Sequence, residues 1–117
     1  MNNLINLTPH DCTIFDGDSV VAVIPPSGSL ARCRQEIHDL PAVEFDFGSV
    51  RSGVKTLGEI QGLPDPEEGK IFFVSLAVAQ KAWELGRTDV VCPLDAHRTN
   101  GATDGTIGLA WNPSLHR

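Results

Sequence analysis

Lys70-Ile71-Phe72-Phe73-Val74 runs straight into Ser75-Leu76-Ala77-Val78-Ala79-Gln80-Lys81-Ala82-Trp83-Glu84-Leu85-Gly86, and the fold turns on how this stretch is read. The first five residues form a continuous apolar run of strand length, the pattern of a strand buried on both faces. After Ser75 the period changes. Leu76, Val78, Ala79, Ala82, Trp83 and Leu85 fall on one arc, with Gln80, Lys81 and Glu84 on the other. The spacing predicts an amphipathic helix over about 75–86, with Ser75 as N-cap and Gly86 as its stop. Three turns are too few to stand alone in water, so the apolar stripe must dock on a sheet.

Outward from there the chain reads as short strands and turns. Asn3–Leu7 alternates and ends at Thr8-Pro9. Cys12–Phe15 and Val20–Ile24 flank Asp16-Gly17-Asp18, a hairpin cue, because Gly tolerates the positive φ of a primed turn. Pro25-Pro26-Ser27-Gly28 then breaks the ladder. If Ser29–Gln35 is a strand, Arg32 and Arg34 share one face. Ala42–Phe47 alternates cleanly, with Val43, Phe45 and Phe47 on one side and Glu44 and Asp46 on the other. Val54–Gln61, Val90–Cys92 and Thr106–Trp111 complete the strands, and 62–69 is a Pro- and Gly-rich loop. The expected fold is α+β: a compact, mainly antiparallel β-barrel or sandwich with one packed helix.

Composition agrees with a globular chain. At 117 residues, one domain over 1–117 is the default. Nine Lys plus Arg against 15 Asp plus Glu give a net charge of −6, which opposes a long polyanionic partner such as nucleic acid but not a small anion in a local pocket. No apolar run reaches the ~20 residues of a membrane span, and Met1-Asn2-Asn3-Leu4 lacks the features of a signal peptide. A cytoplasmic protein is expected. Cys12, Cys33 and Cys92 form no C-x-x-C pair and read as reduced, packed thiols.

The candidate chemistry is sparse. Six of the nine basic residues are Arg, whose planar fork suits phosphate or carboxylate. Strand–Ser75–helix has the outline of a nucleophile elbow, but the glycines of G-x-S-x-G are missing. An N-cap is the better reading, and helix amides with the Ser75 hydroxyl can also receive an anion. His10, His38, His97 and His116 show no metal-ligand spacing, so neither a metal nor another cofactor is expected. Asp65, Glu67 and Glu68 read as a solvated acidic rim. Arg87 either braces Asp89 beyond the helix or meets Arg98, and Arg32 or Arg34, around a ligand. Pro26-Ser27-Gly28-Ser29 is ordinary turn chemistry that also allows close approach to a phosphate.

Several segments occur together: Asn6-Leu7-Thr8-Pro9-His10; Pro26-Ser27-Gly28 with Ala31-Arg32; Gly58-Glu59-Ile60-Gln61-Gly62-Leu63-Pro64 with Pro66; and Gly69 followed by Ile71–Ser75. Val78-Ala79, and Arg87 with Asp89-Val90-Val91 and Pro93, continue the pattern. In this combination, which covers most of the chain, the sequence resembles a family of small proteins carried by bacteriophages and bacteria, largely without assigned function. The resemblance transfers no catalytic residue. It implies an accessory or counter-defence role, since some small phage proteins sequester nucleotide immune signals between subunits without cleaving them.

Together these readings favour a non-enzymatic sponge, a homo-oligomer holding a small anionic, nucleotide-like ligand. Arg32, Arg34, Arg87 and Arg98 would meet its phosphates, Ser27 and Ser75 would donate hydrogen bonds, and Trp83 would stack on a base. The alternatives are a structural or assembly protein using its sheet edges, and a small nucleotide hydrolase built on a residue such as His10 with an acidic partner.

Overall fold

The computed structural model describes residues 2–116. The chain is mostly strand with one helix, an α+β protein. In chain order the elements are β1 (Asn3–Asn6), β2 (Cys12–Asp16), β3 (Ser19–Ile24), β4 (Arg32–Phe45), β5 (Gly48–Gln61), β6 (Lys70–Phe73), α1 (Leu76–Glu84), β7 (Val90–Pro93), β8 (Ala96–Thr99), β9 (Ala102–Ile107) and β10 (Leu109–Ala110), then a 3-10 turn at Pro113–Leu115.

One sheet has the order β1-β6-β7-β10, a second β3-β2-β9-β8, and β4 pairs with β5 alone. Among the described residues no sheet closes into a barrel, one of the two forms expected from the sequence. Parallel pairing also enters, between β1 and β6, β6 and β7, and β2 and β9. The β6–α1–β7 crossover accounts for the β6–β7 pair, because parallel neighbours need a long connection such as a helix to bring the chain back.

The apolar run that opened the sequence reading is explained by layers. Phe72, Val74, Val90 and Cys92 face α1, where Val78, Ala79 and Ala82 close the core with Leu7. Phe73 and Val91 point the other way, with Ile71, onto Cys12, Ile14 and Ile24 of the second sheet. The first sheet is therefore sandwiched between helix and sheet, and its strands must be apolar on both faces. Helix α1 stops as the sequence predicts: Gly86 at φ +90 lets Arg87 N–H reach Ala82 O and Gly86 N–H reach Trp83 O. Burial pushes the Cys12 thiol up to about 11, and all three thiols are free. Among the described residues, no helix is long and apolar enough to cross a membrane.

Residues 32–35 of the segment 29–35, with the segments 42–47 and 54–61, all read separately in the sequence, belong to one long hairpin. Each of its strands has 14 residues, about 45 Å at the usual rise. Only its base packs on the body, through Cys33 and Ile60. The rest projects as an arm and accounts for the 57 × 38 × 34 Å extents. Pro41 lies within the irregularity between Leu40 and Val43, a position where a missing N–H is tolerated. Phe47 belongs to the turn between β4 and β5 and not to the strand, its ring stacked on Phe45 at 5.1 Å.

Candidate functional site

Parallel strands deliver their carboxyl ends to one edge of a sheet, where connecting loops open a crevice. Here β1, β6 and β7 end together. The chain leaves them as Leu7–Asp11, as Val74-Ser75 entering α1, and as Leu94-Asp95. The second sheet closes the far wall with Cys12 and Thr13 of β2 and residues 103–106 of β9. The result is an open crevice of about 690 Å³, within the size range of small-molecule sites. A smaller notch of about 160 Å³, lined by Leu30 and Arg32, adjoins it, with Thr8, Pro9 and Ser75 lining both.

Side chains inside the fold fix the crevice walls. Asn6 is buried; its amide donates to His10 O (2.8 Å) and Ile24 O (2.9 Å), and its Oδ1 accepts from Thr8 N–H (3.0 Å). The Thr8 hydroxyl lies 2.7 Å from the same oxygen. One asparagine therefore uses its whole hydrogen-bonding capacity to hold the Thr8–His10 wall against β3. Opposite, buried Thr106 accepts from Leu94 N–H (3.0 Å) and donates to Gly108 O (2.8 Å), tying the 94–95 loop to β9. Exposed Leu76 and Leu94 form apolar lips.

At one end of the crevice, Ser75 occupies the N-cap position with extended backbone, but its hydroxyl makes no capping bond. The capping bond expected from the sequence is absent. The first intrahelical bond is Ala79 N–H to Ser75 O (2.9 Å), and the first turn carries no acidic residue. The amides of Leu76, Ala77 and Val78 precede that bond, and Ser75 and Leu76, at this positive end of the helix, line the crevice. Asp11, Asp95 and Asp104 line other parts of the wall, together with His10.

Asp104 also belongs to a side-chain cluster that sequence reasoning did not find. His97 Nδ1 lies 2.6 Å from Asp104 Oδ1 and Nε2 lies 3.1 Å from Asp18 Oδ1. The ring stacks on Phe15 at 3.7 Å and 6°. Gly105 allows this approach, since a Cβ there would come within 2.5 Å of the Phe15 ring. The hydrogen bond to Asp104 is the main force raising the His97 pKa above its ordinary value, with Asp18 adding to it. In return His97, then Thr99, holds Asp104 below the usual carboxylate range. The pattern His97-x₆-Asp104 across a tight hairpin was available in the sequence. The Asp18 contact, 79 residues away, was not.

The seven residues singled out from the sequence are scattered. Ser75 and Arg32 come together, Ser75 in both cavities and Arg32 in the notch. Arg87 lies beyond the opposite end of α1. Its Nε and Nη2 grip both Asp89 oxygens (2.8 and 2.9 Å), and Nη2 also donates to Pro64 O (2.9 Å). That is the bracing role. Trp83 donates to Val90 O (2.8 Å) and packs on the core beneath the helix. Ser27 forms a local turn with Ser29, and its N–H bonds Asn6 O. Arg34 is exposed at the bulge near the base of the arm, and Arg98 is exposed on β8. Within one chain, neither crevice nor notch is lined by Arg34, Arg87 or Arg98. Glu67 of the acidic rim is exposed and pairs with Lys70 at 2.8 Å.

Comparison with models of known protein families, with curated proteins and with solved structures found no match to this chain.

Proposed function

We propose that this protein binds a small phosphate-bearing, nucleotide-type ligand in the crevice at the N-terminal end of α1 and releases it unaltered. The same proposal makes it a homo-oligomer that sequesters the ligand in the manner of a phage counter-defence sponge, acting in the cytoplasm of a bacterial host. The observation that carries the reading is the meeting of the uncapped α1 N-terminus and Ser75 with the notch that Arg32 lines. A phosphate there would take hydrogen bonds from first-turn amides and the hydroxyl, with the Arg32 guanidinium beside it. Asp11 and Asp95 are suited to accept from ribose hydroxyls or an exocyclic amine, and the Leu76 and Leu94 lips to flank a ring.

The test is retention and recovery. Protein is incubated with cyclic dinucleotides and cyclic ADP-ribose isomers, washed, then heated to release ligand for mass analysis. Intact ligand should be recovered. Arg32→Ala should weaken its affinity by about 10- to 100-fold, the loss of one charge-assisted contact. Recovery of an altered product would support a hydrolase, with His10 and Asp11 as first residues to replace. A second reading, an assembly protein without a ligand, is favoured by the exposed apolar arm and would be supported if nothing is retained.

A further inference from the structure

The ladder of the arm sorts its side chains by face, since paired residues on neighbouring strands project to the same side. The pairs His38–Val54, Leu40–Ser52, Val43–Val50 and Phe45–Gly48 alternate along the strands and share one face. From Leu40 to the tip this face carries no charged side chain: Leu40, Val43, Phe45, Val50 and Val54 form a stripe that the stacked Phe47 extends. These six side chains are 39–77% exposed. The opposite face carries Ile37 beside Lys55, then the Asp39–Arg51 pair at 2.7 Å and Glu44. An isolated two-stranded ribbon is marginal in water, and this one spends its apolar side on solvent in the single chain.

We propose that the apolar face of the β4–β5 arm is the self-association surface, docking face to face on the same arm of a second copy about a two-fold axis. The stripe is one ribbon wide, so a second ribbon matches its width. A two-fold axis near the Leu40–Ser52 and Val43–Val50 rungs lays each Phe45–Phe47 tip over His38 and Val54 of the partner copy. Two ribbons stacked this way form a four-stranded sandwich about 10 Å thick, dry inside and charged outside. The stripe exposes on the order of 600 Å² per copy, so its complete burial on two copies removes at most about 1,200 Å², the lower end of the range for a specific interface. The two-fold arrangement needs no second kind of surface, because each arm supplies both halves. This extends the proposed function only by naming the surface of assembly; it does not depend on the ligand.

Sedimentation velocity over a concentration series reads the mass of the full chain. Wild-type protein should reach twice the 12.6 kDa chain mass. Val43→Glu with Phe45→Glu should hold it at the single-chain mass, while Lys55→Glu on the charged face leaves the dimer intact. Should the double variant fail to fold, oxidative cross-linking decides. Ser52→Cys, near the axis, should give a covalent dimer, and Lys55→Cys should not. Wild-type protein that stays at the single-chain mass overturns the proposal, whether or not the arm then binds lipid vesicles or another protein. So does a double variant that still dimerises, or cross-linking through position 55 in place of 52. Mass reads the arm and ligand retention reads the crevice, so either proposal can fail alone.

Discussion

In β6, Phe72 and Phe73 are 2% and 6% exposed; at the tip of the arm, Phe45 and Phe47 are 49% and 77% exposed. Both pairs lie in short stretches with strong strand propensity. They differ in what the rest of the chain puts beside them. The body closes α1 over one face of its sheet and β2 and β3 over the other, so Phe72 and Phe73 both find partners in the same chain. The arm alternates, apolar on one face, and has no second layer. Apolar alternation shows that a face is to be buried, and does not say which molecule buries it.

The largest expected effect tests that contrast directly. Phe72→Ala removes a ring from between α1 and the sheet and should lower stability by about 3–5 kcal/mol in urea denaturation. Phe47→Ala, measured on dilute protein, should stay within about 0.5 kcal/mol. Similar losses for both would show that the arm is part of the cooperative core.

A smaller effect isolates the crevice wall. Asn6→Ala takes the side-chain donor from the carbonyl of Ile24 and leaves that of His10 with the Thr8 hydroxyl at 3.0 Å, at a cost of about 1–3 kcal/mol. It should also weaken ligand retention, because the Thr8–His10 wall loses its anchor. Exchange of the Thr8 and His10 amides would rise in the variant if the anchor works as described.

The smallest effect is a pH profile. With its folded pKa raised, His97 adds stability that is fully present below the ordinary value of 6.5 and is lost as pH climbs through the raised value. The lowered pKa of Asp104 works in the opposite sense: its contribution is present above 3.8 and lost as pH falls through the lowered value. Between those limits the pair is charged and complete. The urea midpoint of wild type minus that of His97→Gln should therefore be largest at mildly acid pH and shrink towards alkaline pH. A difference independent of pH would reduce His97 to its stacking on Phe15.

The helix was legible because Leu76 to Leu85 repeat at helical spacing and Gly86 ends them. The β2–β3 hairpin was legible because Asp16-Gly17-Asp18 is turn chemistry. The arm was not, because Pro41, Gly48 and Gly53 fall outside the segments read as separate strands, whereas Pro41 sits in a ladder irregularity and the two glycines at the start of and within β5. Parallel pairing of β1 with β6 joins residues more than 60 apart, which no local pattern announces. For the site, charge drew attention to Arg87 and aromatic character to Trp83, which the fold uses to brace Asp89 and to pack on the core. The edge where β1, β6 and β7 end together, and with it the roles of Asn6 and Thr106, follows from that parallel order and needed coordinates.

The most direct measurement is an amide chemical-shift map of the labelled protein titrated with the nucleotide it retains best. The account predicts the largest shifts at Leu76, Ala77 and Val78, with Thr8–Thr13 and Leu94–Asp95 following and the arm from Ile37 to Lys55 unmoved. Shifts centred on Arg87 or on the arm, with the first turn of α1 silent, would contradict it.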